Sequence, residues 1–474
     1  MTERILRGPL AWEVFRFGAP LALGMGLQTT FNLVDAYILG RLPEGVAGAA
    51  LGAIGIADQL TAIGTILSYG FSVAAAAMIS RRKGEGDAEG VRRLAFQSLL
   101  LVLALSAAVL VFALLGSGLL MKDVVGAKGQ VALLGTNYLR VMVAGSGSIF
   151  LLLHLTSIQR ALGSSKTPIA LLLGANVLNF FLAVLLVYGP GEAPPVFAWG
   201  PPVARALHLP RLELLGAAWA TLLARAAVLP PALFILVGRH RVLARRDFSG
   251  PDRGVISSIV GVGWPTSMQL VVRTAAMLVT HSIVARAFTT EADQSATTAL
   301  GIVFRLETMA LFIGLGWGSA AQTFVGQCLG ANEKARAQAS GVLATAYDAA
   351  MMALIAALYA HAGATIVAFF DPSPSVVGFA MDYVRVVSPS YVGLGVGIVL
   401  GSAMQGAGAT RSTLVIDAIV VCVLQIPASV LVTFGFGGGA HRLFQVVAAT
   451  YAAYALVYAL VYRRGTFLST ELPA

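Results

Sequence analysis

The stretch WEVFRFGAPLALGMGLQTTFNLVDAYIL, residues 12–39, decides the fold. As a helix it exceeds the roughly 20 apolar residues that a bilayer crossing takes. It is also too long for the apolar core of a secretory signal, about 7–15 residues, and it runs straight into the polar turn at Gly40 and Arg41. It therefore reads as a retained membrane helix. Two of its residues are not needed for spanning lipid. Pro20 removes one backbone hydrogen bond and weakens the helix there. Asp35 follows it by about 22 Å of helix, at 1.5 Å per residue, and so falls in the half of the crossing remote from the chain's start.

The rest of the chain has the same character. Of 474 residues 57% are hydrophobic and 11% charged, with a mean hydropathy of +0.82, whereas about a quarter of a soluble domain is charged. The 52 glycines suit closely packed membrane helices. Cys328 and Cys422 both sit in or beside apolar runs, so no disulfide framework or thiolate metal cluster is expected. A net charge of +10 would suit nucleic acid only if a soluble domain displayed a basic face, and none is present.

Eleven further apolar runs follow, at 46–79, 94–120, 131–158, 168–188, 214–237, 255–285, 294–325, 337–361, 376–404, 414–434 and 443–462. Alternate connections collect 19 of the 32 Lys and Arg residues, including Arg81, Arg82, Lys83, Arg160, Lys166, Arg245, Arg246 and Arg411. The positive-inside rule then places both termini in the cytoplasm, which requires an even number of crossings. The Pro-rich run 189–211 reads as a long external loop.

The chain then repeats itself. Pro20 in Gly18-Ala19-Pro20 corresponds to Pro265 in Gly263-Trp264-Pro265, an offset of 245 residues. Tyr138-Leu139-Arg140-Val141 returns at the same offset as Tyr383-Val384-Arg385-Val386, and Gly163 with Lys166 returns as Gly408 with Arg411. The expected fold is an all-α polytopic membrane protein, twelve transmembrane helices in two pseudo-symmetric six-helix bundles around a central cavity. The divisions are 1–238 and 255–474, joined by a basic cytoplasmic linker, 239–254. Repeats with parallel topology about an axis along the membrane normal are a usual frame for alternating access, so transport is expected before any family is named.

Local motifs then point to a family. Ala321-Gln322-Thr323-Phe324-Val325-Gly326-Gln327-Cys328-Leu329-Gly330-Ala331 closes the eighth run, and Ser80 with Gly84-Glu85-Gly86-Asp87 closes the second. Val34-Asp35, Asn176, Asn179, Gly216 to Thr221 and Gln405-Gly406-Ala407-Gly408 complete the pattern. Together they resemble the multidrug and toxic compound extrusion (MATE) family, in a bacterial form nearer its DNA-damage-inducible-F branch. The resemblance implies a secondary antiporter of the bacterial inner membrane that exports small amphipathic drugs, toxins or metabolites in exchange for H⁺ or Na⁺. It implies no enzyme activity and no bound cofactor, a lipid bilayer as the only partner besides substrate, and a monomer. The sequence departs from the family's acids: Ala183 stands where the fifth helix would carry Asp, Arg273 where the seventh would carry an acid, and residues 391–401 of the tenth contain none.

Ionisable residues inside a bilayer cost about 2.5 to 3.5 kcal/mol on insertion scales, so each is a functional candidate. Asp35 is the expected ion-coupling carboxylate, with Asn179 and Thr221 able to hydrogen-bond to it and Pro20 able to turn its protonation into bending. Gln28, Asn32, Asn176, Asp58, Arg273, Arg305 and Glu307 form the expected cavity or charge network, with Arg273 and Glu307 a possible ion pair. His154 and His281 read as hydrogen-bonded structural residues, and Asp348, Asp382 and Asp417 as lying near helix ends or in the outer ring. The alternative function is a lipid-linked saccharide flippase of the same superfamily. An enzyme would need a nucleophile with its base or a metal motif, and neither HExxH nor GxSxG is present.

Overall fold

The computed structural model describes the backbone of residues 2–42, 44–119, 129–243, 250–290 and 293–472, and their side chains apart from residues 28, 30–33, 36, 40, 44–63, 113, 129–132 and 134. The side chains of Gln28, Asn32 and Asp58, three of the candidates above, lie outside the described residues. Among the described residues the architecture is wholly helical.

The first half comprises α1 (Leu10–Gly40), α2 (Glu44–Glu85), α3 (Ala88–Leu119), α4 (Gly129–Ala161), α5 (Lys166–Tyr188) and α6 (Leu214–Arg239). The second comprises α7 (Arg253–Ala287), α8 (Ser295–Gly330), α9 (Lys334–Phe370), α10 (Pro374–Gly406), α11 (Thr410–Gly435) and α12 (Ala440–Arg464). Among the described residues the ten from α3 to α12 are long and apolar enough to cross a membrane. The other two, α1 with 31 residues and α2 with 42, also exceed the length of a crossing. Gly163 and Gly408 make the same turn twice, at φ +92° and +89°. Because a left-handed backbone is open to glycine and strained for other residues, the repeated glycine fixes how α4 leads into α5 and α10 into α11.

Within the first half α2 packs on α4 and α5 on α6; within the second α8 packs on α9 and α10, and α10 on α12. The halves meet where α1 lies against α8 and α2 against α7 and α8. The polar ends of α2 and α8 cross almost backbone to backbone. A Cβ on Gly84 would stand 2.0 Å from the Gln327 carbonyl oxygen, and one on Gly330 would stand 2.0 Å from that of Arg81. Side-chain amides close the crossing: Gln327 donates to the Ala161 carbonyl at 2.8 Å and Gln322 to that of Val73 at 2.8 Å. The signature at 321–331 is thus the seam between the halves at the basic end of the molecule.

The seam supplies its own reporter, because Cys328 is fully buried there while Cys422 is exposed. In a Cys422→Ala background, Gly84→Val forces a methyl-bearing carbon into a main-chain carbonyl, an overlap that no side-chain rotation relieves. Labelling of Cys328 by a membrane-permeant maleimide is expected to accelerate by about tenfold, the factor that 1.4 kcal/mol of seam opening produces. An unchanged rate would mean that this crossing does not hold the seam shut.

The Pro-rich run 189–211 departs from its expected reading. It folds into a helical turn at Pro195–Phe197 and a short helix, Gly200–Ala206, because proline at the first helical positions starts a helix rather than preventing one. Phe197 is buried against Tyr37 of α1 and Tyr188 of α5, so the segment caps the ends of those helices. In α6 and α11 the prolines at 230, 231 and 427 are followed by wide π turns, at Ile235–Arg239 and Leu431–Gly435; a further π turn, Ile419–Gln425, precedes Pro427.

Candidate functional site

Asp35 reaches the site because α1 runs unbroken through Pro20 to Gly40. The nitrogen of the Asn179 side chain, on α5, donates to both Asp35 carboxylate oxygens, at 2.9 Å each. One turn of α1 further on, the Tyr188 hydroxyl donates to the Ile38 carbonyl at 2.6 Å, so α5 is tied to α1 at the carboxylate and again beyond it. Asp35 is half-buried and Asn179 buried. The Asn179 carbonyl oxygen and the Asn176 side-chain nitrogen are buried with no hydrogen-bond partner among the described residues. Thr221 is half-buried on α6. Ala183 packs into the apolar core, so the position where the resemblance led one to look for a second acid is filled by hydrocarbon.

The second half holds a chamber of about 240 Å³ lined by α7, α8, α10, α11 and α12. Arg273 does not pair with Glu307. Its Nε donates to Asp417 at 2.6 Å, and its guanidinium also donates to the Tyr454 hydroxyl. Asp417 further accepts from Tyr458 at 2.6 Å. Glu307 accepts instead from Tyr383, at 2.5 Å, and from Tyr451. Arg305 is exposed on α8 and stands outside this network. Gln269 donates to Tyr458 at 3.1 Å and accepts from Gln405 at 2.6 Å, extending the polar chain below the chamber.

The bridges Asp35 to Asn179 and Arg273 to Asp417 each join residues 144 apart, and each ties the first helix of its half to the fifth. The duplicated scaffold has placed the same brace twice, with different chemistry and at a different depth. One is a carboxylate held by a neutral amide, the other a buried ion pair with both partners hydrogen-bonded.

The remaining candidates resolve into structure. His154 is fully buried between Ser72 of α2, at 3.2 Å, and Ser98 of α3, at 3.0 Å. Asp382 makes a surface pair with His441. Asp417 and Asp348 are not peripheral, since both are fully buried, and neither oxygen of Asp348 has a hydrogen-bond partner among the described residues.

A family model described as MatE matches residues 20–185 and, a second time, residues 266–431. A probable multidrug resistance protein of Bacillus subtilis, YpnP, is 26% identical over 452 residues, 94% of each chain. An FAD transporter of Shewanella oneidensis is 24% identical over 430 residues, covering 90% of this chain and 89% of its own. Among solved structures, a MATE protein crystallised with the compound MaL6 superposes with a TM-score of 0.85 at 23% identity, over 98% of both chains. An outward-facing multidrug resistance MATE transporter gives 0.86 at 22% identity, again over 98% of both.

Proposed function

The chain belongs to the MatE family of membrane efflux transporters, and from that premise we propose that it is a proton-coupled antiporter exporting small amphipathic compounds by alternating access. The basic end lies in the cytoplasm with both termini, and the cleft between the halves opens to the other side. The observation that carries this reading is the grip of Asn179 on Asp35.

Sodium would need a cluster of oxygen ligands around the carboxylate, as hard cations generally do. Asp35 instead has an N–H group on each oxygen, and a donor repels a cation. A proton fits better. When Asp35 gains one, that oxygen becomes a donor and needs an acceptor. The Asn179 amide can turn over and present its carbonyl oxygen, the atom now buried without a partner among the described residues. Both protonation states are therefore satisfied by one residue, with a different contact between α1 and α5 in each. Pro20 is where α1 yields to that change, because a helix missing a backbone hydrogen bond bends there at least cost.

One relative is named for multidrug resistance and another for FAD transport. Neither favours a lipid-linked saccharide. The test is efflux of ethidium from inverted vesicles carrying either a pH gradient or a sodium gradient alone. The pH gradient is expected to drive transport and the sodium gradient not to. Sodium-driven movement at equal pH would sink the proton reading.

A further inference from the structure

Arg160, at the last turn of α4, counts at first sight among the basic residues of the cytoplasmic face. Its surroundings say otherwise. An arginine there would ordinarily neutralise the unpaired carbonyls that end a helix. Those carbonyls are already occupied. Ile158 accepts from Leu162, Gln159 from Ser164, and Arg160 itself from Gly163 and from the Thr323 hydroxyl. Ala161 accepts from Gln327 and from Ser80. The Arg160 guanidinium turns back along the helix and donates to the Ser157 hydroxyl at 2.6 Å.

Helical side chains lean toward their own N-terminus, which for α4 is the direction away from the basic end. The seam made by Gly84, Gly330 and Gln327 lies at or below Arg160, so its guanidinium, turned back to Ser157, is directed away from the seam into the spanning part of the bundle. Tyr69, on α2, lies within reach of the charges of both Arg160 and Arg273, one from each half. Beside it, a Cβ on Gly70 would overlap Ser267 of α7, so this is the level at which the halves touch. Arg273 is neutralised by Asp417. Arg160 forms no ion pair with a carboxylate among the described residues. Arg160 is half-buried, and a cation partly withdrawn from water within a membrane span with no carboxylate bonded to it among the described residues is a functional candidate.

We propose that Arg160, with the hydroxyls of Ser157 and Tyr69, forms an oxyanion site at the floor of the cleft that receives a carboxylate or phosphate group. This rests on the efflux reading above and extends its substrate class to amphipathic compounds bearing such a group, beside cations such as ethidium that bind without it. The same chemistry is offered by an anionic lipid headgroup slipping between helices, and the test separates the two.

Binding of carboxyfluorescein to the purified protein, read by fluorescence anisotropy without any gradient, is compared with that of the cation ethidium. Arg160→Gln is expected to weaken carboxyfluorescein by about tenfold or more, the worth of one charge-assisted hydrogen bond, and to leave ethidium unchanged. Arg160→Lys, which keeps the charge, is expected to retain most of the affinity and shows that loss in the glutamine variant is not misfolding. Phosphatidylglycerol in mixed micelles then assigns the source: displacement of the dye marks a headgroup site, and no displacement marks a site for cargo. Equal dye affinity in wild type and Arg160→Gln, or no dye binding by either, overturns the proposal. Since binding is read at equilibrium, the result is independent of whether Asp35 couples transport to protons.

Discussion

Asp35→Asn is expected to abolish gradient-driven efflux while leaving substrate binding and the folded bundle intact. The variant keeps the shape of the carboxylate, and an amide facing the Asn179 amide can still be hydrogen-bonded, so α1 and α5 stay tied. What disappears is the exchange of a proton between the two sides. One pH unit corresponds to about 1.36 kcal/mol per proton, so a difference of about two units drives close to a hundredfold accumulation when one proton moves per cycle. The asparagine protein can only equilibrate its substrate, and that hundredfold falls to unity. Concentrative transport in proteoliposomes is the measurement, with ethidium binding as the control for a competent cleft. Undiminished accumulation by the variant would remove Asp35 from the coupling step.

The second large effect is on stability. Asp417→Ala strands Arg273, since Asp417 has no exposed surface and Arg273 keeps 20% of its side chain exposed, toward the chamber. Removing one partner of a buried ion pair typically costs 3–5 kcal/mol, and about 3 is expected because chamber water reaches part of the guanidinium. Tyr458 loses its acceptor as well. The double variant Arg273→Met, Asp417→Leu is expected to recover to within about 1 kcal/mol of the parent, because an apolar pair of similar volume replaces a buried ion pair at little cost. Unfolding in mixed micelles with increasing SDS compares the three. If the single variant is as stable as the double, the pair does not brace α7 against α11.

The twelve crossings were legible because a bilayer demands length and apolarity, and both are properties of consecutive residues. The duplication was legible for the same reason: Pro20 with Pro265 and Gly163 with Gly408 stand at one offset. Asp35 and Asn179 could be paired through the family resemblance. The partner of Arg273 could not be found that way, since depth in the membrane is not written in the spacing of apolar residues. Asp417 falls near the start of its run and so read as peripheral. A signal did exist, because the separation of Asp35 from Asn179, applied to Arg273, lands on Asp417. The direction of the Arg160 side chain was not legible either: the positive-inside count registers a charge at that end of the helix, whereas which way it points depends on neighbours that fill the helix end. The Pro-rich segment was taken for an open loop because proline breaks helices in mid-course, although here it begins them.

Where α2 crosses α8, the touching atoms belong to the main chain, which every amino acid shares. Apart from the amides of Gln322 and Gln327, the surrounding side chains are free to drift without loosening that joint, while at Gly84 and Gly330 even one added carbon is too many. A joint of that kind has few soft side chains to fray one at a time. Its release is a parting of two whole rods, so the inward swing should be abrupt, with few half-open forms through which ions could leak.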